Sequence, residues 1–73
     1  MNKKIVELLL LYRFTLFISP NNLRDFCDVT IMDMVSKETT NLCLPVVFIE
    51  EHVKTIILAI QKFKEELDER NKG

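Results

Sequence analysis

From Lys3 the chain reads KKIVELLLLYRFTLFISP, and only Glu7, Arg13 and Thr15 interrupt the apolar run from Ile5 to Ile18. Ile5, Leu8, Leu9 and Tyr12 fall at helical spacing among straight-chain helix formers, which predicts a short helix over residues 3–11. From Tyr12 the run turns aromatic and β-branched. Tyr12, Phe14, Leu16 and Ile18 alternate with Arg13, Thr15 and Phe17, as a half-buried strand does. One strand from about Lys4 to Ile18 is the alternative, because an apolar run this short does not separate the two states. In either form apolar side chains point in several directions, more than 73 residues readily cover.

Ser19-Pro20-Asn21-Asn22 is the strongest break in the pattern, and Asn22 is placed to cap a short turn over Leu23, Arg24 and Asp25. Residues 27–35 then alternate as a second strand, with Val29, Ile31 and Val35 on one face and Thr30, Met32 and Met34 on the other. Asp33 interrupts the first of these faces and marks the strand's end. The polar stretch 36–41 predicts a hairpin loop leading into a third strand, Leu42 to Phe48. Pro45 makes that strand an edge or bends it, since proline cannot donate to a ladder.

At Ile49 the period changes. Ile49, Val53, Ile56, Ile57, Ile60, Phe63 and Leu67 recur every three or four residues, the apolar stripe of an amphipathic helix about twenty residues long. Glu50 and Glu51 suit the positive end of the helix dipole. Glu50 with Lys54, Lys62 with Glu66, and Glu66 with Arg70 have the spacing of paired charges on a solvated face. Leu58 lies off the apolar stripe. Residues 67–73 are expected to fray. The resulting expectation is a single α+β domain over residues 1–73. It has a small three-stranded antiparallel sheet, a long C-terminal amphipathic helix on one face, and an N-terminal helix or strand extension.

Hydrophobic residues at 48% and charged residues at 29% suit a folded globular chain, and one glycine with two prolines favours long regular elements. A formal net charge of −1 and a pI near 5.7 remove the bulk attraction for nucleic acid that a basic protein has. The opening run is too short, and too interrupted by charge, for a membrane span. It also lacks the small-residue cleavage pattern of a signal peptide, so the expected compartment is the cytoplasm. Cys27 and Cys43, sixteen positions apart, have neither a disulfide framework nor paired metal-ligand spacing. With the hairpin set as above, Cys27 falls beyond the paired region and not opposite Cys43.

Chemistry finds little footing. His52 is the sole histidine, Glu50 and Glu51 do not stand four residues from it, and Gly73 is the sole glycine. No phosphate-cradling loop, metal site, cofactor site or catalytic group is therefore predicted. Asp25, Asp28 and Asp33 lack the dense oxygen spacing of a calcium loop.

The order of three strands and then a long helix, over Phe14 to Leu67, resembles the fold of the single-stranded DNA-binding transcriptional coactivators. That resemblance implies a dimer whose sheets carry a single strand. The sheet offers Arg13, Arg24 and Lys37 for such binding, with Phe14, Phe17 and Phe26 expected in the core. The reading favoured on composition and pattern is a non-enzymatic cytoplasmic homodimer that regulates or inhibits a larger protein. Tyr12, Phe14 and Phe17 are its expected self-association residues, and Glu50, Lys54 and Leu58 its expected partner contacts. A dimeric single-stranded nucleic-acid binder is the second reading, and no membrane partner is expected.

Overall fold

A computed structural model describes residues 2–47 and 49–72, apart from the side chains of Ile49 and Lys72. Its elements are α1 (Lys3–Tyr12), β1 (Phe14–Pro20), β2 (Phe26–Asp33), β3 (Thr39–Pro45), a 3-10 turn (Ile49–His52) and α2 (Val53–Lys72). The three strands form one antiparallel sheet in the order β1-β2-β3. The α+β architecture thus follows the expectation, and the open question over residues 3–11 resolves to a helix.

Local chemistry explains that choice. The Asn2 side chain caps α1 by accepting from the backbone N–H of Lys4 at 2.8 Å and of Ile5 at 3.4 Å. At the other end Arg13 turns left-handed, with φ 60°, and its N–H bonds the carbonyl of Leu9. One residue in that conformation reverses the chain, so β1 runs back beneath the helix.

The register relocates the hairpin. Asp33 pairs with Glu38 through a 2.9 Å backbone bond, leaving residues 34–37 as the loop in place of the expected 36–41. Asp33 is the reason. Its carboxylate accepts from the N–H of Val35 and Ser36 and from the Ser36 hydroxyl at 2.8 Å, and Lys37 takes a left-handed turn at φ 67°. Met34 and Val35, read from the sequence as strand, are exposed turn residues. The third strand accordingly starts at Thr39 and ends at Pro45, and Phe48 lies outside the described residues. In the preceding loop Asn21, not Asn22, organises the turn, accepting from Leu23 N–H and donating to Asp28.

Both prolines are explained by the ladder. Met34 N–H bonds the carbonyl of Arg13, and Val46 N–H bonds that of Asp25. Hydrogen-bonded pairs alternate along antiparallel strands, so Thr15, Phe17 and Ser19 bond β2 while residues 14, 16, 18 and 20 of β1 turn their backbone groups outward. By the same alternation residues 39, 41, 43 and 45 of β3 face outward. Pro20 and Pro45 each sit where no N–H is required.

Both helices cover one face of the sheet. Ile5 and Leu8 of α1, Phe14, Cys27, Val29, Ile31 and Leu44 of the sheet, and Ile56, Ile60, Phe63 and Leu67 of α2 form a single buried core. Asn2 and Ile5 lie near Glu50 and Val53, and Tyr12 lies near Lys64, so the helices run in the same direction. No helix among the described residues is long and apolar enough to cross a membrane. Arg70 pairs with Glu38 and not with Glu66, tying the last turns of α2 to the β2–β3 loop, and Lys64 pairs with Asp68 at 2.9 Å.

Candidate interaction surfaces

The expected self-association residues do not form one surface. Phe14 is 6% exposed and its ring stands 5.1 Å from that of Phe63, inside the core. Tyr12 is half-buried at the end of α1, 5.6 Å from Phe14, with the Lys64 ammonium 5.8 Å from its ring centre. Phe17 lies on the opposite side of the sheet and is 49% exposed. Strand alternation separates them, since Phe14 faces the helices and Phe17 faces away.

Glu50, Lys54 and Leu58 do share one exposed row, each four residues from the next, running from the 3-10 turn along α2. Leu58 is 64% exposed there among charged neighbours. The outer surface of α1 adds Leu10 and Leu11, with Val6 one turn before Leu10. Sequence spacing set Ile5, Leu8, Leu9 and Tyr12 on one helical face, with a strand as the alternative. The structure divides the leucine block along that face: Ile5 and Leu8 point into the core, while Leu10 and Leu11 point to solvent. The helical period contains this division, but only once the segment is known to be a helix.

The sheet face away from the helices carries Thr15, Phe17 and Ser19 from β1, Phe26, Asp28, Thr30 and Met32 from β2, and Thr39, Asn41 and Cys43 from β3. Phe17 and Phe26 are thus at the surface, contrary to their expected place in the core. Thr30 and Asn41 are hydrogen-bonded across the strands at 2.6 Å. The two cysteines occupy opposite faces: Cys27 pairs with Leu44 and is buried, whereas Cys43 pairs with Asp28 and is exposed. Cys27 therefore lies within the paired region, against expectation, and it is the pleat that keeps the two thiols apart.

Two depressions flank the helices. An almost wholly apolar cavity of about 290 Å³ lies between the N-terminal ends of α1 and α2, floored by Leu16 and Ile18 and walled by Ile5, Val53 and Ile56. A shallower groove of about 150 Å³ runs between β3 and the flank of α2. Among the described residues no three His, Cys, Asp or Glu side chains converge as metal ligands. His52 closes the 3-10 turn at an intermediate depth.

Two charged groups are displaced from their ordinary behaviour. The Ser36 hydroxyl holds Asp33 below the usual aspartate value against the opposing effect of burial, with help from the backbone N–H groups of Val35 and Ser36 and from the more distant Lys64 charge. The hydrogen bond from Lys64 to Asp68, aided by the charges of Asp68 and Asp33, raises the Lys64 ammonium above its usual value. Both shifts belong to turn and helix stabilisation. No protein-family model, curated protein or solved structure matches this chain.

Proposed function

We propose that this protein is a small, non-enzymatic, homodimeric regulator or inhibitor that acts by binding a larger protein. The observation that carries the reading is the outer surface of the helix layer, where Leu10 is 76%, Leu11 71% and Leu58 64% exposed. Large apolar side chains that the chain's own fold leaves in water favour contact with another macromolecule. Leu58 stands in the row with Glu50 and Lys54, so one patch offers an apolar anchor flanked by both charge signs, a combination that suits a protein partner. Binding there blocks a partner by occlusion.

Solution mass by light scattering at several protomer concentrations, followed by pull-down with Leu58→Asp and Leu10→Asp variants, tests this. The expected result is a dimer that captures a discrete partner, with capture lost in the variants and circular dichroism unchanged. A monomer at every concentration refutes the homodimer, and capture unaffected by both variants refutes the surface.

A second reading, single-stranded nucleic-acid binding, is favoured by exposed Phe17 and Phe26 on the open sheet face, where aromatic rings can stack on bases. Asp28 on the same face and the net charge of −1 weigh against it. Failure to shift a fluorescent oligonucleotide at low salt removes that reading.

A further inference from the structure

We infer that the copies of this chain associate through β3, pairing Thr39–Cys43 antiparallel with itself across a two-fold axis at Asn41 to form one continuous six-stranded sheet. The inference rests on the homodimer reading above and assigns its interface. Both edges of the sheet lack a charged residue, the usual safeguard against further pairing. They differ in the charge that flanks them. Beside β1 lies the apolar cavity floored by Leu16 and the 55% exposed Ile18, and among the described residues Glu50 is the one charged side chain in its lining, so two copies meeting there bring like charges together. Beside β3, Thr40 and Leu42 stand half-buried on the helix side next to the shallow groove, and α2 presents both a cation and an acid there, Lys62 and Glu66, with Phe63 between them.

The β3 edge is complementary to itself. Thr39, Asn41 and Cys43 turn their N–H and C=O groups outward, and Pro45, which lacks an N–H, lies outside that set. With the axis at Asn41, residue 39 of one copy faces residue 43 of the other, and every one of these outward donors and acceptors is paired. An isologous contact of this kind needs no second surface. Charge agrees with the arrangement. Antiparallel order reverses Lys62 and Glu66 between the two α2 flanks, so the cation of one helix stands toward the acid of the other.

The test uses the full chain and two variants. Asn41→Pro removes an N–H that points away from β2, so the intramolecular ladder survives and circular dichroism reports the fold. Two intermolecular bonds are lost per dimer, and self-association by light scattering or sedimentation is expected to weaken at least about tenfold. In Asn41→Cys/Cys43→Ser the new thiols meet across the axis, at a separation within disulfide range. Mild oxidation is expected to give a covalent dimer, whereas Phe17→Cys/Cys43→Ser, with its thiol on the open sheet face away from the β3 edge, gives none. A wild-type dimer that persists in Asn41→Pro, with no cross-link in Asn41→Cys/Cys43→Ser, overturns the β3 interface and leaves the homodimer reading standing. A wild-type chain that stays monomeric, with no cross-link, overturns both. If Asn41→Pro fails to fold, the cross-link alone decides.

Discussion

Replacing Phe14 separates a core role from an interface role more sharply than any other single substitution. The residue is 6% exposed, with its ring 5.1 Å from Phe63 and 5.6 Å from Tyr12. Truncation to alanine costs about 3–5 kcal/mol at a site of this kind. A domain of 73 residues has about 4–11 kcal/mol of stability in total, so Phe14→Ala leaves little folded protein to measure. Phe14→Leu is the informative change. Exchanging one large apolar side chain for another costs less than about 1.5 kcal/mol, and losing two aromatic neighbours adds about 0.5–1.5 kcal/mol for each pair. A total of about 1–4.5 kcal/mol is expected, at about 4–8 °C in Tm for each kcal/mol. Urea titration at one fixed protomer concentration measures it, because a dimer's stability depends on concentration. Phe63→Leu and the double variant complete a cycle, in which a coupling of about 0.5–1.5 kcal/mol identifies the ring contact. The reasoning fails if Phe14→Leu leaves stability unchanged while lowering the solution mass, since that is how an interface residue behaves.

Two further predictions concern the turns. Arg13→Gly is expected to raise stability by about 0.5–1 kcal/mol, because a left-handed conformation costs an L-residue about 1–2 kcal/mol and glycine little; a loss of Tm would mean that the α1 cap is not left-handed in solution. Asp33 has a folded-state pKa below its unfolded value, so its contribution is present above the ordinary aspartate range and disappears as pH falls through the lowered value. Asp33→Asn should therefore lower Tm at pH 7 by an amount that vanishes at strongly acidic pH, and a pH-independent difference between the two proteins would refute the carboxylate's role.

The hairpin shows where sequence reasoning stopped. The polar stretch from Ser36 to Asn41 marked a reversal of the chain, yet polarity alone carried the loop too far along. The turn is set by one carboxylate, Asp33, whose hydrogen bonds reach residues 35 and 36, and a side chain bonding its own backbone leaves no periodic signal. Moving the loop moved β3, and with it the relation between Cys27 and Cys43. That Glu50, Lys54 and Leu58 share one exposed row was legible because helical spacing alone places those residues together. That Tyr12, Phe14 and Phe17 do not share one surface was illegible for the converse reason: nearness in sequence says nothing across a helix end and a pleat.

The sequence by itself determined the composition of the fold: three strands, a long amphipathic helix with Ile56, Ile60, Phe63 and Leu67 inside, and an N-terminal segment with more apolar residues than one side of it could bury. These are local properties, fixed by period, propensity and turn chemistry. Tertiary structure decided which leucines of α1 meet water and which face of the sheet stays open. Those depend on where two helices lie over three strands, and that placement is set by packing between residues far apart in the chain, which no local pattern records.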